Sequence, residues 1–179
     1  MKKILAFGAS NSSRSINQKL ATWAASQVAN STPTILDLND FEMPIFSIDR
    51  ERENGVPEEA KRFKSLVESH DGILISFAEH NGAYAAAFKN IFDWASRLEG
   101  DAWADKPMFL MATSPGGRGG ASVLGIAMQR FPFNGGRIAA VFSLPFFKTN
   151  FSEENGILDE ELLHQFSEQK AKFENELHG

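Results

Sequence analysis

The sequence predicts an α/β fold built on an open parallel sheet with helices on both faces. Two observations predict it. Short apolar runs at 4–7, 34–36, 72–77, 108–112 and 137–142 alternate with helical patterns at about 15–29, 57–69, 84–98, 120–131 and 159–177. Strands separated by helices run parallel, because each helix carries the chain back across the sheet. The runs at 72–77 and 108–112 are also almost continuously apolar, as strands buried on both faces must be.

The elements follow in order. Ile4 to Phe7 is the first strand, and it runs straight into the polar loop Gly8-Ala9-Ser10-Asn11-Ser12-Ser13-Arg14-Ser15-Ile16-Asn17 before a helix begins. Free main-chain N–H groups at a helix start carry positive partial charge, so this loop is built like an anion cradle. Thr34–Leu36 is the second strand. The stretch from Leu38 to Val56 is the longest irregular connection, read either as a contact-forming loop or as a surface excursion tacked down by Phe41 and Phe46. After the helix at 57–69 and the strand at 72–77, Phe88, Ile91, Phe92 and Ala95 recur at helical spacing and predict a core-facing stripe, with Lys89 and Asp93 paired one turn apart. Trp103 is read either as the cap of a pocket or as packing. Met128, Phe131, Pro132 and Phe133 form either a core edge or an oligomer contact. Leu162, Leu163, Phe166, Phe173 and Leu177 make the last helix an amphipathic cover for the sheet.

Composition excludes several classes. At 179 residues a single domain, 1–179, is expected, with enough chain for a sizeable core. A formal charge of -5 without a basic stripe argues against nucleic acid as a partner. With no cysteine there is no disulfide, thiolate metal site or Cys nucleophile, which fits a reducing cytoplasm. No apolar run is long enough to span a membrane, and the polar loop interrupts any signal-peptide core by Ser10, so neither a membrane partner nor secretion is expected. His70, His80, His164 and His178 make no close pair, and no metal site is expected. A Gly-Lys-Ser/Thr phosphate loop and a Gly-x-Ser-x-Gly elbow are both absent, and Gly117-x-Gly119 lacks the third glycine and the first-strand position of a dinucleotide fingerprint.

Ligands of an open parallel sheet bind outside the carboxyl ends of the strands. Three loops have that address: Gly8 to Asn17, Ala78-Glu79-His80-Asn81-Gly82-Ala83-Tyr84, and Ser114-Pro115-Gly116-Gly117-Arg118-Gly119-Gly120. All are rich in small or hydrogen-bonding residues, and together they suit one elongated ligand that bears a phosphate.

In these blocks, over the first roughly 145 residues, the chain resembles the NADPH-dependent FMN reductase family, which includes quinone, chromate and azo-compound reductases. The first loop resembles the family's phosphate loop. Glu79-His80-Asn81-Gly82, with Phe88-Lys89-Asn90-Ile91-Phe92-Asp93-Trp94-Ala95-Ser96, resembles its Pro-Glu-Tyr-Asn block and following helix, and Ser114 to Gly120 resembles its glycine-rich flavin loop.

The resemblance implies a flavodoxin-like three-layer sandwich with a five-stranded sheet in the order 2-1-3-4-5. It implies FMN as cofactor, NADPH or NADH as co-substrate, and a small-molecule acceptor such as a quinone, the two substrates using one flavin face in turn. Carried over by position, Ser10, Ser12, Ser15 and Asn17, with Ile16 beside them, would hold the phosphate. Ala78, Glu79, His80 and Asn81 would lie along the ring and ribityl chain. Ser114, Gly116, Gly117 and Gly120 would meet the ring's polar edge, and no side chain is named as catalytic. A cytoplasmic homodimer or homotetramer is implied, with the helix around Trp94 at a subunit interface.

The chain departs from the pattern at three positions. Ser12 stands where the family often has Arg, with Arg14 as a substitute charge or a solvated side chain. Ala78 replaces a proline. His80 replaces a tyrosine, and either stacks or titrates near neutral pH. The competing readings are a flavodoxin-type electron carrier that does not oxidise NADPH and a flavin-free phosphate-binding module.

Overall fold

The computed structural model describes residues 1–179. β1 (Lys2–Ala9) sends alternate side chains to opposite faces of the sheet, as the two-residue period of a strand requires. Leu5, Phe7 and Ala9 enter one apolar layer, and Ile4 and Ala6 enter the other. α1 (Ile16–Ser26) follows and returns the chain to β2 (Ser31–Ile35). A 3-10 turn at Leu38–Phe41 and a short helix, α2 (Ile48–Asn54), then give local structure to the long connection before α3 (Glu58–Ser69).

β3 (Gly72–Phe77) leads into a two-residue hairpin, β4 (Glu79–His80) and β5 (Ala83–Tyr84), then α4 (Ala86–Ala95). β6 (Lys106–Thr113), α5 (Ala121–Arg130) and β7 (Gly136–Leu144) complete the sheet. The chain finishes with α6 (Phe147–Asn150), a small hairpin of β8 (Phe151–Ser152) and β9 (Gly156–Ile157), and α7 (Glu160–His178).

The five long strands are all parallel, in the order β2-β1-β3-β6-β7. Counted as five, this is 2-1-3-4-5, the predicted order. Phe63, Phe88, Phe92, Trp103 and Phe131 join α3, α4 and α5 to one face. Leu20, Ala24, Phe166, Phe173 and Leu177 join α1 and α7 to the other. Phe88, Ile91, Phe92 and Ala95 are all buried, and Lys89 pairs with Asp93 at 2.7 Å.

The structure places both tryptophans of this layer inside the chain: Trp103 takes the packing role of its two readings, and Trp94 is covered by its own chain. Trp103 is fully buried among Phe63, Phe88, Phe92 and Phe131, so it caps no pocket. Trp94 is buried within its own chain, where its indole N–H donates to the Pro44 carbonyl at 2.7 Å. The same patch holds Phe46 edge-on against Trp94 and accepts the Phe46 N–H on the Asn90 side chain, which tacks the 38–56 segment onto α4. The patch after α5 is divided: Phe131 lies in the core, while Met128 and Phe133 face solvent.

Gly8 lets α1 sit close on β1, because a Cβ there would lie 2.3 Å from the Gln18 nitrogen. In the space so created the Gly8 N–H donates to Gln18 Oε1 at 2.7 Å, and Gln18 Nε2 donates to the Leu36 carbonyl at 2.9 Å. The start of α1 is thereby latched to both β1 and the chain leaving β2.

Candidate functional site

At the carboxyl edge of the sheet, where strand order reverses beside β1, the three loops meet around a cleft of about 210 Å³. Ser10, Ser12, Ser15, Ile16 and Asn17 line one wall, Ala78, Glu79 and His80 a second, and Ser114 the third. Arg14, Thr113 and Pro115 also line it.

The first wall is an open helix terminus. Ser15 caps α1, its hydroxyl oxygen accepting the Gln18 N–H at 3.1 Å. The N–H groups of Ile16 and Asn17, the first two of the helix, have no acceptor within the chain. Ser10 Oγ accepts the Ser12 N–H and Ser12 Oγ accepts the Arg14 N–H, a pair of local turns that face the hydroxyls inward while leaving their protons to donate. Arg14 is the one Lys or Arg side chain lining the cleft, and it forms no ion pair. Neutral donors, a helix terminus and one unspent guanidinium make a donor set for a phosphate monoester.

Asn17 is placed differently from the sequence reading. Its side chain is turned into the floor, where Oδ1 accepts the Thr113 N–H at 3.0 Å and the Ser76 hydroxyl at 2.7 Å, and Nδ2 donates to the Thr113 carbonyl at 3.1 Å. The residue is 2% exposed.

The second wall is a hairpin rather than a loop. Asn81 and Gly82 both have positive φ, 52° and 76°, as a two-residue type I′ turn requires. Asn81 thus makes the turn and lies outside the cleft lining. The Asn-Gly pair between short β-compatible segments was the signal for this hairpin. Glu79 lines the cleft, but its carboxylate accepts the Val123 N–H of α5 at 3.0 Å. His80 is exposed on the rim.

The glycine-rich third loop is held from behind. Gly116 accepts the Gly119 and Phe146 N–H groups on its carbonyl, and Phe146 lays its ring on Gly117, where a Cβ would lie 2.8 Å from the ring. Gly120 is buried in the left-handed region at φ 77°, where a Cβ would lie 2.6 Å from that of Ala112. It opens α5 and does not line the cleft; nor do Gly116 and Gly117. Thr113, Pro115 and, beneath the floor, Ser76 were not singled out by sequence. For Ser76 and Thr113 the signal was a polar residue at the carboxyl end of an otherwise apolar strand.

The sheet order and the phosphate-ready helix terminus at its switch point define a flavodoxin-like α/β protein. The model of the NADPH-dependent FMN reductases matches residues 2–147, and the chain belongs to that family. It is 32% identical over 97 residues to a quinone reductase of Escherichia coli strain K12, covering 54% of this chain and 49% of the relative. It is 38% identical over 80 residues to a 2-hydroxy-1,4-benzoquinone reductase of Burkholderia sp, covering 44% and 43%. The chain thus spans about half the length of the curated relatives it matches. A flavoenzyme NAD(P)H:(acceptor) oxidoreductase from Paracoccus denitrificans has the same fold over 99% of this chain and 97% of its own, with a TM-score of 0.77 at 23% identity. No helix is long and apolar enough to cross a membrane.

Proposed function

We propose that the chain, as a single domain 1–179, binds FMN in the three-loop cleft and acts as an NAD(P)H-dependent oxidoreductase toward quinones or similar flat acceptors. The observation that carries this reading is the donor set at the start of α1, where two unpartnered N–H groups, the hydroxyls of Ser10, Ser12 and Ser15, and the unpaired Arg14 converge on one cleft. These groups suit the FMN phosphate. When bound, FMN supplies the two-electron chemistry, taking hydride from a nicotinamide and giving it to an acceptor.

The chain's own residues bind and orient. Arg14 and the N–H groups of Ile16 and Asn17 neutralise the phosphate, while Ala78, His80 and Ser114 shape the cleft beyond it. Glu79 turns one carboxylate oxygen to the α5 N-terminus, whose positive partial charge offsets part of the carboxylate's charge in a cleft meant for an anionic ligand. The N–H groups of Gly116 and Gly117 have no acceptor in the chain and offer donors at the third loop. The reading assigns no side chain as acid or base. A homo-oligomer is part of the same proposal, supported by the exposed Ile45 and Phe133 side chains and tested by light scattering.

The test is an absorption spectrum of the purified protein with added FMN, followed by anaerobic NADPH or NADH and then a quinone. Bound flavin that bleaches with the nicotinamide and recovers with the quinone is the expected result. Flavin that binds but does not bleach would make the chain an electron carrier, and protein that binds no flavin would overturn the reading.

A further inference from the structure

We infer that the side chain of Asn17 is a positioning group, holding the three walls of the cleft in register from below, and that only the main-chain N–H of this residue is left for the phosphate. The inference rests on the FMN reading and deepens it.

One side chain touches all three elements whose loops form the cleft. Asn17 belongs to α1, which leaves the loop after β1. Its Oδ1 is reached by the Ser76 hydroxyl near the end of β3 and by the Thr113 N–H at the end of β6, and its Nδ2 reaches the Thr113 carbonyl. Pairing with both main-chain groups of Thr113 fixes which amide atom points where, since an N–H can only donate and a carbonyl can only accept. Thr113 Oγ1 then donates to the Leu144 carbonyl at 2.7 Å, carrying the chain of bonds to β7.

Ser76, Asn17 and Thr113 are 0%, 2% and 1% exposed, so this polar line runs through the dry edge of the core. In a buried network of this kind each side-chain nitrogen and oxygen has a partner, and a flipped Asn17 amide would leave the Thr113 main-chain groups facing like groups, which favours the one arrangement seen. The phosphate is left to groups that have no partner: the Ile16 and Asn17 main-chain N–H, the serine hydroxyls and Arg14.

The experiment compares FMN and riboflavin binding to the wild-type protein, Asn17→Ala, Ser76→Ala and the double variant, by flavin fluorescence quenching. Ser76 does not line the cleft, and Ser76→Ala is the variant least disruptive to folding. A ligand role for Asn17 weakens FMN alone, because riboflavin has no phosphate. A positioning role weakens both flavins by the same factor, about tenfold for Asn17→Ala. It also makes Ser76→Ala act in the same direction, shifts the absorption band of bound FMN, and makes the double variant less than additive. Loss confined to FMN, or unchanged binding and spectrum in Ser76→Ala, would overturn the inference. Wild-type protein that binds neither flavin would instead overturn the FMN reading, and the inference with it.

Discussion

The Glu79 carboxylate accepts the Val123 N–H at 3.0 Å and so joins the hairpin after β3 to the first turn of α5. The terminus of α5 is left without a side-chain cap of its own, Gly120 having none to offer. Glu79 supplies it from another element, with a charge of the sign that a helix N-terminus favours. Glu79→Ala is expected to cost about 1 kcal/mol and to lower the melting temperature by about 2–4 °C. Glu79→Gln, which keeps an amide oxygen in the same place, is expected to recover most of that loss. Calorimetry of the three proteins checks this, and an unchanged midpoint in Glu79→Ala would show the bond to be without weight.

Arg14 is the unpaired cation of the cleft. Arg14→Gln is expected to weaken FMN binding about tenfold, the scale of a charged hydrogen bond. Riboflavin affinity should stay where it was, and the salt dependence of FMN binding should flatten. Titrations at two ionic strengths read both effects. An equal loss for riboflavin would place Arg14 away from the phosphate.

Tyr84 is the single tyrosine of the chain. Burial pushes its hydroxyl up to about 12, partly opposed by the charge of Arg130. A folded value above the unfolded 10.0 means the contribution to stability is fully present below pH 10 and is lost as pH rises through the folded value. Ultraviolet titration of the phenolate reports this residue alone. The hydroxyl also has no hydrogen-bond partner, so Tyr84→Phe is expected to keep or raise the melting temperature near neutral pH. A clear loss of stability would reveal a hidden partner.

Asp71 accepts the Lys3 N–H at 2.7 Å, and this bond, helped by the charges of Lys2 and Lys106, holds its carboxyl below the usual 3.8. The sign is opposite to that of Tyr84. The stabilisation is present above pH 3.8 and fades as pH falls through the folded value. Asp71→Asn should therefore lower the melting temperature at neutral pH and match the wild type once the medium is acid enough to protonate Asp71 in the folded wild-type protein. A constant difference across pH would assign the effect to packing.

Much of the fold was legible in the chain. The five apolar runs each became a sheet strand, and the helices at 16–26, 58–69, 86–95, 121–130 and 160–178 lie within a few residues of their patterns. Long amphipathic periods report burial directly, whatever surrounds them. The segments at 38–56 and 145–157 were not legible as structure. Their turns and short helices are too brief to show a period and are held by distant partners, such as Asn90 for Phe46 and the Gly116 carbonyl for Phe146.

The sequence by itself determined the parallel α/β architecture, the polar loop at the first helix and the three loops of the candidate site, because these depend on local pattern and order along the chain. Only the tertiary structure decided what each polar group of that site has left to offer. Asn17 and Thr113 are 96 residues apart, yet they share their hydrogen bonds. One Glu79 carboxylate oxygen is drawn to α5, Asn81 sits in the turn of its hairpin, and Gly120 packs against Ala112 away from the cleft lining. A bond made inside the fold fixes where a polar group points and how much of its donor and acceptor capacity is left for a ligand, and that depends on neighbours brought together only when the sheet forms.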